Sequence, residues 1–576
     1  MSLLKRFLSE IRQQVREQQG DRLAAWLQVE PSAPRQYHVL ADELRTAFAD
    51  SKALDNAIDS HLPIEDDVPD GQATVWPGFQ AFVKEYLVLW RDIDHDDLLG
   101  AHELLSALVK SASPFSSPLS PLPFLLSPLS PLLLPMLLLF HAHIPPPRAE
   151  NWTSSASSTA FSHPQYGAML IQVCKSLSES LARFTLELNR RPDLTRRLRV
   201  RDDDGGSKSV AESSAEIIQK IFKVCLMDRT AGRTPEGKKA CVYMFANLVL
   251  KLLFACKRTN LATMIFRNMS ASCPPLRLYP ASQRVTYLYY LGRFNFSMNH
   301  YLRASLCLEQ AYLQTPPQLA SHRTKILTFL IPCNMLLGRF PSAVLTQRPE
   351  AQTLTPIFLP LCHAVRSANF MAFQSHLELH RRWLWAKGLY AQLCYRLRPL
   401  LWRSLARKTF LLTYVPPTEA DSRKAATLDL ACLHAVAVFV QRQLEGWLPS
   451  NRIVRDRRPS NVNAVFMQAI TSNVQVPAET TLVPPPGGPR KLRANEGLVC
   501  GNMPVRLLDV EMMVATLIQR DFMHGFIAHV QGRFAIIGAK AKGPLLAGWP
   551  GVWQAICEHK YDQPYDPNEV PGWVKT

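Results

Sequence analysis

The stretch between Arg381 and Lys408 offers the clearest chemistry in this sequence. It holds eight Lys or Arg residues and no Asp or Glu, with Trp and Tyr residues interleaved among them. Such cations contact phosphates, and aromatic rings stack on bases. The alternative is an amphipathic helix pair whose cations are solvated and whose aromatic side chains lie in the core, and for the aromatics we favour this alternative. These aromatics are Trp383, Trp385, Tyr390, Tyr395 and Trp402.

No catalytic pattern accompanies these cations in the sequence. It contains no complete P-loop, no dinucleotide-binding glycine pattern, no nucleophile elbow and no zinc-protease pattern. Gly232 to Lys239 has the glycine spacing of a P-loop, but Lys stands where the hydroxyl that would bind magnesium belongs. The twelve cysteines include no Cys-x-x-Cys pair. We therefore predict a protein that is not an enzyme and has no catalytic residue, cofactor or metal site.

The charge of the whole chain is unusual for its composition. The chain has 576 residues, of which 47% are hydrophobic, and its formal net charge is +18. An excess of this size indicates a polyanion or an acidic protein as a partner, and a solvated basic surface with no such role is the alternative. The N-terminus lacks the apolar core of a signal peptide, and scattered cysteines are typical of reduced thiols in the cytosol or nucleus. We predict no membrane anchor.

The elements that position these cations are organised around a repeated tetrapeptide. Leu-Gly-Arg-Phe occurs at 291–294 and again at 337–340, and apolar residues spaced by three and four precede each copy. This spacing is typical of one helix face, and a fixed period predicts stacked helical hairpins. We expect Gly292 and Gly338 each to end a helix in the left-handed conformation.

The chain end has a different pattern. Leu507 to Gln519 has the period of a helix, and two alternating segments that flank Gln531-Gly532 predict a β-hairpin. Helices followed by a hairpin indicate a winged-helix module. We therefore predict a mainly α, TPR-like helical-repeat solenoid capped by a C-terminal winged helix. The predicted regions are 1–110 (N-terminal helices), 111–148 (Pro/Leu/Ser low-complexity insert, disordered or a gene-model artefact), 149–284 (helical repeats), 285–448 (further repeats), 449–501 (loop or insert), 502–540 (winged helix) and 541–576 (tail).

Several runs resemble one known family. The runs at 287–294 (Tyr-Leu-Tyr-Tyr-Leu-Gly-Arg-Phe), 337–342, 402–410 and 525–529 are similar to the COP-9 signalosome subunit 12-like branch of the PCI-domain proteins, the branch of PCI domain-containing protein 2. The resemblance covers roughly Phe161 to Lys540 and implies the PCI fold.

The resemblance implies a non-catalytic scaffold of a TREX-2-like complex that couples transcription to nuclear mRNA export. Its expected partners are a large helical scaffold subunit and a small acidic protein, with RNA or DNA on a basic surface, in the nucleus or at the nuclear pore and in part in the cytoplasm. A signalosome-like assembly that works through protein contacts alone is the alternative. The residues expected to bind nucleic acid or the acidic partner are Arg396, Arg398, Arg403, Arg407, Lys408, Lys491, Arg493, Arg506, Arg520, Arg533, Lys540 and Lys542.

Overall fold

A computed structural model describes most of the chain. The described residues are 3–29, 34–49, 51–62, 76–94, 97–112, 160–163, 166–195, 200–201, 207–228, 234–414, 425–449 and 482–558. Within them the protein is mainly helical with little sheet, as predicted. From residue 113 onward the predicted insert at 111–148 lies outside the described residues, as does the tail after 558. The chain forms two compact units, with 1–290 in the first and 291–565 in the second.

The first unit is built from helices whose apolar residues recur every three or four positions. In its first helix Leu4, Phe7, Leu8 and Ile11 are buried and the residues between them are mostly exposed. The α-helices are α1 (Leu3–Arg16), α2 (Gly20–Trp26), α3 (Arg35–Ala47), α4 (Ser51–His61), α5 (Pro77–Asp92), α6 (Leu98–Ala112), α7 (Ile171–Asn189), α8 (Pro192–Thr195), α9 (Val210–Met227), α10 (Val242–Ala255), α11 (Ala262–Ser272) and α12 (Ala281–Ser297), which continues past residue 290. Strands β1 (Val200–Arg201) and β2 (Ser207–Lys208) form an antiparallel pair.

The predicted N-terminal helices and the repeats that come after residue 149 share one core. Trp76 donates its indole N–H to the Ala160 carbonyl at 2.9 Å. His102 in α6 lies 3.1 Å from both the Thr185 and the Ser214 hydroxyls, on α7 and α9. Burial lowers the pKa of His102 to about 4. The structure therefore groups the regions predicted at 1–110 and 149–284 in one unit.

The second unit begins with helical hairpins, as the repeated tetrapeptide predicts. The helix pair α13–α14 and the pair α16–α17 each pack side by side. The α-helices are α13 (Tyr301–Gln314), α14 (Ala320–Leu336), α15 (Ala343–Gln347), α16 (Thr355–Ser367), α17 (Phe370–Leu379), α18 (Arg381–Ala386), α19 (Tyr390–Arg396), α20 (Arg398–Thr413), α21 (Leu430–Leu444), α22 (Leu507–Gln519), α23 (Ala539–Lys542), α24 (Pro544–Ala547) and α25 (Val552–Glu558).

Only one of the two predicted glycine caps is present. Gly338 has φ +76° directly after α14, as expected of a left-handed cap. Gly292 lies inside α12, and the prediction of a helix end there was wrong. A Cβ on Gly292 would lie 2.6 Å from Cγ of Leu308, so the glycine permits close packing of α12 on α13. The first tetrapeptide is therefore a helix contact, whereas the second is a turn.

The winged helix is larger than the predicted 502–540. Strands β6 (Gly525–Ala528) and β7 (Arg533–Ile536) form the predicted hairpin, with Gly532 at φ +60° in its turn. A third strand, β3 (Thr427–Asp429), pairs with β7, which gives the antiparallel order β3-β7-β6. Helices α20 and α21 both pack against β3 and α22, so the module draws on chain that precedes residue 502. The sequence pattern did not indicate β3, because a strand of three residues is too short to show alternation.

The last part of the region predicted as a loop or insert at 449–501 packs against the winged-helix module. Strand β4 (Leu448–Pro449) pairs with β5 (Leu482–Val483), and residues 450–481 between them lie outside the described part. We call residues 484–506 the strap. Gln441 in α21 accepts from the Leu498 amide and donates to the Gly501 carbonyl, both at 2.9 Å. Two hydrogen bonds between the strap backbone and the buried Gln441 side chain hold the strap against α21.

Candidate nucleic-acid interface

Helix α20 carries four cations of the 381–408 stretch, and these differ in exposure. Leu401, Leu405 and Phe410 are buried and orient the helix, while Arg407 and Lys408 are exposed. Neither of these two cations forms an ion pair within the described residues. A helix turns by about 100° per residue, so burial of one stripe leaves the other in solvent. Arg407 and Lys408 are therefore placed to meet an external anion.

Arg403 lies one turn before Arg407 on the same side of α20, but its guanidinium is covered by the winged helix, which it holds together. Its Nε donates to the Phe522 carbonyl at 2.9 Å, and Nη2 donates to the Pro550 carbonyl at 2.5 Å. Burial lowers the pKa of Arg403 to about 10, and the charge of Arg407 contributes to this lowering. Breaking these bonds would leave a partly buried cation without acceptors, which is costly. Arg403 thus has a structural role that its place in a run of cations did not indicate.

Arg398 and Arg396 lie at the junction of α19 and α20. Arg398 Nη2 donates to the Asn495 carbonyl in the strap, and burial lowers the pKa of Arg398. Arg396 is exposed and lies beside the Tyr301 hydroxyl. Burial raises the pKa of Tyr301, and the charge of Arg396 opposes that rise. Arg398 therefore links α20 to the strap, whereas Arg396 remains exposed to solvent.

The aromatic residues of the same stretch also divide into two groups. Trp402 and Tyr390 are buried, and Trp383 packs edge-on against Phe358 with ring centroids 6.1 Å apart. The core assignment therefore describes Trp402 and Tyr390, while Trp383 is half-buried. Trp385 and Tyr395, by contrast, are 65% and 55% exposed.

The strap contributes two of the predicted cations. Lys491 is exposed. Arg493 is also exposed, and its Nη1 lies 3.2 Å from Oε1 of Glu378 in α17. Because both partners of this ion pair are half-exposed, it contributes little to stability. Arg493 retains donors that an external anion can reach.

The remaining predicted cations are spread around the winged helix. Arg506 precedes α22, and its amide donates to Oδ2 of Asp509 at 2.9 Å, a bond of the capping-box kind. Arg520 follows α22, Arg533 begins β7, and Lys542 ends α23; all three side chains are exposed. Lys540 also lies in α23, and its side chain is outside the described part. The exposed cations thus belong to several elements of the second unit.

Helix α22, which precedes the hairpin, differs in chemistry from its surroundings. It contains no Lys or Arg and carries Asp509 and Glu511. Its exposed apolar side chains are Leu507, Leu508 and Met512. Sequence reasoning missed this face, although the signal was present: apolar residues occupy too many positions of 507–518 for a single buried stripe. An exposed apolar face suits a protein contact better than a phosphate contact.

The described residues offer neither a metal site nor a membrane span. They contain no group of three or more His, Cys, Asp or Glu side chains that would hold a metal ion. In the same part of the chain no helix combines the length and apolarity needed to cross a bilayer. All twelve cysteines carry free thiols, and burial raises the pKa of several of them, such as Cys174 to about 12. A raised pKa makes a thiol less reactive at neutral pH.

Comparison with known proteins gives this arrangement a context. A PCI domain-containing protein of Schizosaccharomyces pombe is 30% identical over 262 residues, which are 45% of this chain and 57% of the relative. A CSN12 homolog of Gibberella zeae is 31% identical over 227 residues, 38% of this chain and 46% of the relative. The chain is thus similar, over part of its length, to proteins named as PCI domain-containing and CSN12 homologs.

Relatives of this group extend to animals. PCI domain-containing protein 2 of Xenopus laevis is 26% identical over 213 residues, 37% of this chain and 52% of the relative. The matched part of this chain spans about half the length of the curated relatives, and no family model matches it. Helical repeats followed by a winged helix agree with the PCI fold predicted from the sequence.

Proposed function

We propose that this protein is a non-catalytic scaffold subunit of a TREX-2-like complex, which couples transcription to nuclear mRNA export. Its expected partners are a large helical scaffold subunit and a small acidic protein, and its basic surface would also contact RNA or DNA. A nuclear location follows from this proposal. Its support is the kinship with PCI and CSN12-like proteins together with the helical hairpins, which offer long faces for partners.

The observation that carries the nucleic-acid part is the adjacent pair Arg407 and Lys408 on α20. Both side chains are exposed and form no ion pair within the described residues. The chain from Leu379 to Thr418 contains no Asp or Glu, so no carboxylate of this stretch opposes an approaching phosphate. Phosphate contacts release counterions, which predicts an affinity that falls steeply as salt rises and depends little on sequence.

The test is a charge reversal at these two positions. Arg407→Glu/Lys408→Glu in the full chain is expected to weaken binding of a labelled RNA and to reduce the salt dependence, by about one unit of slope per lost contact. Lys5→Glu/Arg6→Glu is the matched control, because it reverses two adjacent exposed cations on α1. Equal weakening by both double variants would show a general charge effect and would remove the support for this surface.

Arg403 is left out of that test because it fastens the module. Arg403→Glu would place a carboxylate against the carbonyls of Phe522 and Pro550, which now accept its hydrogen bonds. We expect this variant to lose helical circular dichroism or cooperative melting, whereas the Arg407 and Lys408 variants keep both. Loss of binding by the Arg403 variant would therefore not report on nucleic-acid contact.

A second candidate is a subunit of a signalosome-like assembly that acts through protein contacts alone. The exposed apolar face of α22, with Leu507, Leu508 and Met512, favours it. Purification of the tagged protein from nuclear extract, with and without nuclease, separates the two. Recovery of an export scaffold, a small acidic protein and nuclear-pore proteins supports the first proposal. Recovery of signalosome subunits that nuclease leaves unchanged would favour the second.

A further inference from the structure

Helices α18 and α19 leave two large aromatic side chains in solvent. Trp385 is 65% exposed and Tyr395 is 55% exposed. Resting on the nucleic-acid contact proposed above, we propose that this helix pair is a stacking site for single-stranded nucleic acid. Trp385 and Tyr395 would stack on unpaired bases, and the neighbouring cations would hold the phosphates.

The structure of the helix pair accounts for its inner aromatics but not for these two. The Tyr390 hydroxyl accepts from Nδ2 of Asn495 at 3.1 Å, and the Tyr390 ring is buried. The Trp385 ring meets only the rim of this cluster, with its centroid 6.0 Å from that of Tyr390. Exposed Trp and Tyr rings are costly to keep in water and are typical of binding surfaces.

The charges on the helix pair favour a polyanion. Arg382, Lys387 and Arg396 are exposed, and Arg382 and Lys387 form no ion pair within the described residues. Arg381 is different, because it pairs with Glu378 at 3.1 Å and lies over the Tyr390 ring at 5.9 Å. Alternation of free cations with exposed rings is the arrangement that binds a strand whose bases are unstacked.

Two observations favour a single strand over a duplex. The faces of bases in a duplex are covered by their neighbours, so protruding rings such as Trp385 cannot stack on them without unstacking the helix. Helix α22, which lies where a winged helix would present a helix to a groove, has no cation and carries Asp509 and Glu511. Carboxylates and apolar side chains there oppose close approach to duplex phosphates.

The experiment measures fluorescence anisotropy of the full chain with a labelled 15-nucleotide oligouridine and with a 15-base-pair duplex at the same series of salt concentrations. Wild type is expected to bind the single strand more tightly. Trp385→Ala and Tyr395→Ala should each weaken that binding by about fivefold or more, the usual effect of losing one base–aromatic stack, and should leave duplex binding nearly unchanged.

Two further variants separate stacking from a structural effect. Trp385→Phe/Tyr395→Phe keeps both rings and should retain most of the single-strand affinity. Leu412→Ala, which removes a 79% exposed side chain from α20, is the control for loss of apolar surface and should change nothing. Arg382→Gln/Lys387→Gln should reduce the salt dependence, whereas the Trp385 and Tyr395 variants should reduce affinity at an unchanged salt slope.

The outcomes distinguish this inference from the function on which it rests. Single-strand preference that is lost with the two rings and rescued by Phe supports the stacking site. Equal binding of duplex and single strand, or single-strand binding that the two Ala variants leave unchanged, overturns the stacking site while the basic surface still stands. No binding of either nucleic acid by wild type overturns both.

Discussion

The tetrapeptide Leu-Gly-Arg-Phe occurs twice in the chain, and its two copies adopt different structures. The copy at 291–294 lies inside α12, where the helix continues to Ser297. The copy at 337–340 comes directly after the end of α14. There the Arg339 amide donates to the Asn334 carbonyl at 2.8 Å and Gly338 has φ +76°, which is a Schellman-type cap. Identical residues therefore form a helix interior in one place and a helix end in the other.

The difference arises from the residues on the C-terminal side of each copy. Pro341 comes after the second copy, and a proline disfavours helical backbone at the residue before it and cannot donate to the helix. Asn295 and Phe296 come after the first copy, and both side chains are buried within the helix packing. A four-residue repeat thus does not define its own conformation, because the next residues decide whether the helix can continue.

The arginines of the two copies also meet different rings. The Arg293 guanidinium lies 4.6 Å from the centroid of the Phe329 ring. Arg339 lies 4.7 Å from the Trp553 ring on α25 and 3.7 Å from the Glu309 carboxylate. The first copy contacts a neighbouring helix, whereas the second also contacts α25, the last described helix of the chain. Substitutions around the two copies test this contrast.

A buried ion pair joins α14, the helix that ends at the second copy, to Glu350. Arg323 in α14 lies 2.9 Å from Glu350, which also accepts from the Tyr312 hydroxyl at 2.8 Å. Glu350→Gln would leave the Arg323 charge buried without its counterion, so we expect a loss of about 3–5 kcal/mol in the free energy of unfolding. Urea denaturation at neutral pH measures it. A change below about 1 kcal/mol would contradict a buried pair that fastens the hairpin.

The same carboxylate predicts a pH dependence. Burial raises the pKa of Glu350, but its hydrogen bonds and the charges of Arg323 and Arg348 outweigh burial, so its pKa is lowered overall. A carboxyl whose pKa is lower in the folded state adds stability above its unfolded pKa and loses it as pH falls through the folded value. The wild-type urea midpoint should therefore fall on acidification by more than that of Glu350→Gln. Parallel curves would contradict this assignment.

Gly338→Ala is expected to cost about 2–4 kcal/mol of unfolding free energy. A left-handed residue with a Cβ costs about 1 kcal/mol, and crowding in a packed site adds about 1–3. The new Cβ would lie 2.6 Å from Cβ of Val552. Gly388→Ala is a matched control, because Gly388 has φ +72° and open space around its Cβ. Equal losses of unfolding free energy at the two glycines would show that Val552 on α25 does not crowd position 338.

Gly292→Ala is expected to cost about 0–2 kcal/mol. The added methyl group would crowd Leu308, at about 1–3 kcal/mol, but alanine is favoured over glycine inside a helix by about 1. A double-mutant cycle with Leu308→Ala should show that the smaller residue relieves the crowding, with a coupling of at least about 0.5 kcal/mol. Additive effects in this cycle would mean that the two helices do not meet at this glycine.

The smallest expected effects belong to the arginines. Arg339→Met should couple to Trp553→Ala, and Arg293→Met to Phe329→Leu, by about 0.5–1 kcal/mol each, the size of a cation–π contact at a partly exposed site. The crossed pairs, such as Arg339 with Phe329, should be additive. Coupling in a crossed pair would contradict the assignment of each arginine to its own ring.

Much of the fold was predictable because helix periodicity and turn residues act over short distances. The hairpin around Gly532, the cap at Gly338 and the basic 381–408 stretch were all visible in the sequence. The strand β3 was not, because its three residues acquire strand character only by pairing with β7, about 100 residues later. Most of the strap lies in the region predicted as a loop or insert, and it contains no helix or strand. Its attachment to Gln441 and Arg398 was not predictable, because both residues are distant in sequence.

By itself the sequence determined the helical class, the resemblance to PCI proteins, the excess of cations and the positions of the aromatic residues. Only the tertiary structure decided which of these residues face outward. Arg403 and Arg407 lie one helical turn apart in a run of cations, yet Arg403 binds the carbonyls of Phe522 and Pro550 and Arg407 is exposed. The acceptors come from chain more than 100 residues away, and no local pattern encodes a partner at that distance.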